Sequence, residues 1–115
     1  MSDCIFCKIN AGEIPADFVY RDEHILAFRD INPLAPTHIL IVPVQHIASV
    51  NDLNSEHRSL IAHLFAVAKK LTKQIGIDQS GYRLMINTGP DAGQVVFHLH
   101  LHLLGGKSMG SMINN

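Results

Sequence analysis

The chain has 115 residues, 47% of them apolar, with nine Lys and Arg against ten Asp and Glu and a net charge of −1. That length supports one modest hydrophobic core, so a single domain over residues 1–115 is expected. Two Tyr, no Trp and balanced charge exclude a basic groove or stacking platform for nucleic acid, and no apolar run approaches the roughly 18 residues that span a bilayer.

Met1-Ser2-Asp3-Cys4 carries neither the basic nor the apolar stretch of a secretory signal, so a cytoplasmic location is expected. Cys4 and Cys7 are the only cysteines. In a reducing compartment their spacing points to metal binding or redox chemistry before a structural disulfide. A short helix is predicted over residues 4–11, with Ile5, Phe6 and Ile9 on its apolar face, Gly12 ending it and Pro15 marking an extended exit.

Strands follow at residues 18–21 and 25–29, joined by Asp22-Glu23-His24 as a tight antiparallel hairpin. After Asn32-Pro33-Leu34-Ala35-Pro36, residues 37–44 read as a third strand buried on both faces. Ser55 is the expected cap of one long helix, because Leu60, Leu64, Val67, Ala68, Leu71 and Ile75 recur at helical spacing up to Gly76. The last third predicts a strand at 82–87, a glycine-bearing loop at 88–94, and a strand at 96–104. The order fits an α+β domain: an antiparallel sheet of about five strands, one long helix and a short N-terminal helix. The tail is glycine-rich and polar, and mobility is expected from about residue 108.

Eight histidines are far more than a chain of this length ordinarily carries. In His98-Leu99-His100-Leu101-His102-Leu103 the strand period of two puts three imidazoles on one face, roughly 6 to 7 Å apart. A neutral imidazole is a good nucleophile toward phosphorus, and a protonated neighbour can stabilise phosphate oxygens or protonate a leaving group. Idle surface and a purely metal-binding cluster are the competing readings. His24, His57 and His63 fall in a turn or on the long helix and are expected to be solvated surface.

The run His98-Leu99-His100-Leu101-His102-Leu103-Leu104 resembles the signature of the histidine triad (HIT) family. Asp30-Ile31-Asn32-Pro33, Ala35-Pro36-Thr37-His38, Asn87 and the stretch Gly89 to Gln94 stand in the family's order, and Leu104-Gly105-Gly106-Lys107 is closest to its nucleotide-binding HINT branch. The resemblance implies a HIT-like fold, a homodimer with a joined sheet, and hydrolysis of purine nucleoside phosphoramidates or related conjugates through a nucleotidyl-histidine intermediate. His100 falls on the nucleophile, His102 and His38 on histidines near the phosphate, and Asn87 on an asparagine contacting ribose or phosphate. The nucleoside pocket maps to Ile5, Phe6, Ile9, Phe28, Asp30, Ile31 and Leu40, with Asp30 toward the ribose hydroxyls and Gly93, Gln94 and Val95 at the phosphate. Relatives with this cysteine pair, and the similar galactose-1-phosphate uridylyltransferase, complete a structural zinc site with histidines that correspond to His46 and His98; free thiols at Cys4 and Cys7 are the alternative.

Two departures stand out. Val95 replaces the serine of the best-known HINT proteins and cannot donate a side-chain hydrogen bond, and the aromatic tail of some relatives is replaced by Ser111-Met112-Ile113-Asn114-Asn115. Three alternatives therefore stay open: a nucleotide-binding interaction module with weak catalysis, a dinucleoside polyphosphate hydrolase, and a metal-binding protein that uses all three triad histidines.

Overall fold

The computed structural model describes residues 3–111. Helix α1 (Ile5–Asn10) leads into strands β1 (Phe18–Arg21), β2 (Ile25–Arg29) and β3 (Thr37–Pro43). Helix α2 (Arg58–Ile75) and strands β4 (Tyr82–Met85) and β5 (Leu101–Gly105) complete the fold. The five strands form one antiparallel sheet of order β1-β2-β3-β5-β4, as the α+β reading anticipated.

Local chemistry explains the elements. Asp22 turns the β1-β2 hairpin because its Oδ1 accepts the backbone N–H groups of both His24 and Ile25 at 2.8 Å. All seven residues of β3 are buried, since it is a central strand with neighbours on both sides. Gly76 ends α2 at φ 88°, a left-handed conformation that glycine adopts without steric cost.

Alternation along the strands gives the sheet two unlike faces. Ile25, Ala27, Ile39, Ile41, Leu101 and Leu103 meet Leu64, Val67, Ala68 and Leu71 of α2 in one apolar cluster. Each of the Val, Leu and Ile side chains, fully buried, stabilises the fold by roughly 1.5–3 kcal/mol. On the opposite face, Leu26, Phe28, Leu40 and Val42 pack against Phe6 and Ile9 of α1. The histidines of interest stand on this second face.

Several expectations need correction. The last strand begins at Leu101, so His98 and His100 precede the ladder. Their segment is held by other bonds: the Leu99 N–H donates to the Ile47 carbonyl at 2.6 Å, and Gln94 Nε2 donates to the carbonyls of Ala48 and Val96. Strand β4 stops at Met85, before Asn87. Asn54, not Ser55, caps the turn that enters α2, its side chain accepting from the Glu56 N–H while His57 Nδ1 accepts from the Asn54 N–H at 3.1 Å. His57 is thus part of a cap, and His63 is bonded to Asp22 at 2.7 Å. Of the tail, residues 112–115 lie outside the described residues, and the Gly110 carbonyl accepts from the Arg83 guanidinium.

Candidate functional site

The histidine run divides between two clusters. His98, 1% exposed, turns its Nδ1 toward Cys4 Sγ at 3.3 Å and Cys7 Sγ at 3.7 Å, while His46 Nδ1 lies 3.4 Å from Cys7 Sγ. The four donor atoms of Cys4, Cys7, His46 and His98 all lie within 4.8 Å of one another and are positioned to hold a metal ion. Cys4 also caps α1, its Sγ accepting from the Cys7 N–H at 3.4 Å, so the pair is fixed at the start of that helix. Burial first, and then the Cys4 thiol, push the Cys7 thiol above its ordinary value, a shift that a nearby cation would oppose.

His100 and His102 belong to the second cluster. Phe6 joins the two, its ring edge-on to both His98 (5.7 Å between centroids) and His100 (5.1 Å). The His100 and His102 rings are 5.0 Å apart, and His102 and His38 are 5.3 Å apart. His38 comes from β3 and His102 from β5, and His38 Nε2 lies 3.5 Å from Asp30 Oδ2.

Hydrogen-bond partners fix the tautomer of each imidazole, backbone groups for His98, His100 and His38 and the His38 ring for His102. His98 Nε2–H donates to the Pro43 carbonyl at 2.7 Å, which leaves its Nδ1 bare toward the thiols. His100 Nδ1–H donates to the His98 carbonyl at 2.7 Å, so its Nε2 carries a free lone pair. The Leu34 N–H donates to His38 Nδ1 at 3.1 Å, which puts the His38 proton on Nε2. That proton is donated to His102 Nδ1 at 3.0 Å, leaving His102 with an outward Nε2–H. The donor atoms of Asp30, His38 and His102 also lie within 4.8 Å of one another. A metal there would need the Nε2 of His38 bare, so the bond from Leu34 favours a proton relay over an ion.

These imidazoles are held neutral. Burial lowers the pKa of His38, His98 and His100, against the Asp30 carboxylate at His38 and His100 and the bonded carbonyls at His98 and His100. His102 is pushed down to about 4 by burial, then by His100 and His38. A neutral His100 is the form that can attack an electrophile.

The remaining residues named from the sequence are placed as follows. Phe6, Ile9, Phe28 and Leu40 are buried in one cluster, with Phe6 and Phe28 in edge contact at 5.6 Å. Asp30 follows β2, its Oδ1 accepting from the Asn32 N–H at 2.8 Å. Ile5 is 43% exposed and Ile31 91%, so Ile31 belongs to no core. Asn87 is half-buried. Gly93 takes a φ of 85° after a short turn, and Gln94 is buried with its amide holding that loop to Gly89 and Ala48. Val95 is 85% exposed. A backbone carbonyl of its own segment as the partner of His100 accords with the sequence reading, whereas the Leu34 amide and the Pro43 carbonyl, as backbone groups, leave no mark in residue type.

Fold and site together define a small α+β protein with a cluster of three imidazoles beside a thiol-imidazole cluster. The HIT domain family matches residues 11–109. The purine nucleoside phosphoramidase of Escherichia coli (strain K12) is 50% identical over 111 residues, 96% of this chain and 93% of that protein. Among solved structures, a HIT family hydrolase from Clostridium thermocellum superposes with a TM-score of 0.95 at 46% identity, covering 99% of each chain. Another, from Legionella pneumophila Philadelphia 1, gives 0.92 at 53% identity, covering 94% of this chain and 96% of that one. The chain belongs to the HIT domain family.

Proposed function

We propose that this protein hydrolyses purine nucleoside phosphoramidates through a nucleotidyl intermediate on His100. The observation that carries the reading is the 2.7 Å bond from His100 Nδ1–H to the His98 carbonyl, which leaves a bare Nε2 next to a second imidazole. The activity named for the E. coli relative, 50% identical to this chain, supports the same chemistry.

In the first step the Nε2 lone pair of His100 forms a bond to phosphorus as the bond from phosphorus to the leaving nitrogen breaks. That nitrogen keeps the electron pair and takes a proton from His102, which the negative phosphate has brought back up from its depressed pKa. In the second step water attacks phosphorus, the bond to His100 breaks, and the water's proton passes to His102. A nucleoside monophosphate is released. Phe6, Ile9, Phe28 and Leu40 line the base pocket with Ile5 and Ile31 at its rim, and Asp30 accepts from the ribose hydroxyls. Asn87 contacts ribose or phosphate. The backbone of Gly93, Gln94 and Val95 meets the phosphate, with no side-chain donor from Val95.

The metal is zinc. Ligands at about 2.3 Å for sulfur and 2.0 Å for nitrogen in a tetrahedron stand roughly 3.5 Å apart, close to the 3.3, 3.4 and 3.7 Å separations observed. The Pro43 carbonyl orients His98 as an outer partner does at such sites. Bound zinc would tie α1, and with it Phe6, to the segment before β5. Two chains join into a homodimer through β4, an edge strand whose outer backbone is open to pairing. Residues 1–115 form one HIT domain, and two cysteines that share no disulfide suit a reducing cytoplasm. Among the described residues no helix is long and apolar enough to cross a membrane.

The test is His100→Ala with adenosine 5′-phosphoramidate as substrate. Turnover is expected to fall on the order of 10³-fold or more, and quenched wild-type protein to carry the nucleotidyl group on the peptide containing His100. Undiminished turnover in the variant, or an adduct on another side chain, would sink the proposal. A module that only binds nucleotide would show no turnover before the substitution.

A further inference from the structure

Resting on the phosphoramidase reading, we infer that Arg83 and Lys107 form a leaving-group subsite for an amine that bears a carboxylate. In the β4-β5 register, Met85 stands opposite His102 and Arg83 opposite Leu104. Directly opposed residues share a face, so Met85 and Arg83 extend the His102 face toward the sheet edge. There they line a cleft of about 440 Å³ with Leu34, Leu104, Lys107 and Met109. The cleft starts where the histidine pair ends, because the backbone of Leu34 is the partner of His38.

The base pocket lies on the other side of the nucleophile, where Phe6 contacts His100. A nucleotide with its base by Phe6 and phosphorus at His100 therefore sends its leaving group past His102 into this cleft. Two cations line it and no acidic side chain does, in a chain whose net charge is −1. The Arg83 guanidinium has five donors, one of which goes to the Gly110 carbonyl and holds it at the rim. Leu34, Met85, Leu104 and Met109 supply an apolar wall for the body of the amine. A two-residue step along a strand, roughly 6.8 Å, separates the levels of His102 and Leu104. A leaving nitrogen, its α carbon and a carboxylate cover part of that span, and the arginine side chain covers the rest.

Binding separates this subsite from the chemistry. On His100→Ala protein, calorimetry compares adenosine phosphoramidates of leucine and leucinamide, which differ in one charge, with diadenosine triphosphate. The leucine conjugate is expected to bind tighter than leucinamide by on the order of tenfold. Adding Arg83→Gln or Lys107→Gln brings that ratio close to one, while Arg83→Lys, which keeps the charge, retains most of it. Equal affinities, or a preference that survives both neutral variants, would overturn the subsite. Tighter binding of diadenosine triphosphate that depends on the same two cations would overturn the carboxylate in favour of phosphate. Wild-type turnover of the unsubstituted phosphoramidate, whose ammonia does not reach the cleft, reports on His100 alone. Its absence alongside an intact carboxylate preference strikes the catalytic reading and leaves the subsite standing.

Discussion

The two faces of the sheet use the same strands for opposite purposes. Toward α2, Ile39, Ile41, Leu101 and Leu103 are within 1% of complete burial and make only apolar contacts, so any side chains of matching volume and shape would serve. Toward α1, the alternate positions His38 and His102 depend on directed bonds, as do His98 and His100 just ahead of the ladder. One face holds the strands in register. The other uses that register to aim lone pairs and protons, and it tolerates buried and half-buried imidazoles because each has a backbone or imidazole partner.

The comparison breaks most visibly at Leu64. Leu64→Ala is expected to cost about 2–5 kcal/mol of stability by opening a cavity beneath α2, with the turnover of the remaining folded protein nearly unchanged. Urea midpoints and active-site-normalised rates check this, and a matching loss of turnover would mean that the faces are not separable. On the other face, Cys7→Ser removes a metal donor, and the stabilisation lost is about 2.7 kcal/mol when the ion is present at 100 times its Kd. Zinc that lowers neither variant nor wild-type sensitivity to urea would remove the metal from the account.

A third probe lies at the hairpin end. Burial opposes the Asp22 charge, but bonds from Tyr20, His63 and the amides of His24 and Ile25 hold its carboxyl well below the usual range. Asp22→Asn should cost about 1–2 kcal/mol, with the metal content untouched. A neutral midpoint shift would show that the turn holds without the charge.

The smallest effect comes from pH. His38 and His102 have folded-state pKa values below the ordinary 6.5, so the unfolded chain binds more protons as pH falls. Their contribution to stability is complete above about 6.5 and is lost between there and about 4, the depressed value of His102. Asp22 acts in the same direction over a lower range, its stabilisation present above the unfolded carboxylate pKa of about 3.9, so it stays intact over this interval. Between pH 7 and pH 5 the loss should be on the order of 1 kcal/mol. A flat stability profile over that interval would mean that phosphate is not needed to bring His102 into its protonated form.

Residue order alone determined much of this protein. Strand alternation, the hairpin at Asp22, the helical spacing from Leu60 to Ile75 and the glycine after it all follow from local conformational preference and from which side chains leave water. The histidine run and the cysteine pair marked the chemistry for the same reason, since few other arrangements need those groups at that spacing. Tertiary structure decided which imidazole does what. His98 joins Cys4 and Cys7 across more than 90 residues and meets His46 beside them, while His38 and His102 meet only because β3 and β5 pair. The tautomers rest on the Leu34 N–H and the Pro43 and His98 carbonyls. Every residue carries a carbonyl, and every one but proline an N–H, so only the folded path of the chain selects the ones that matter.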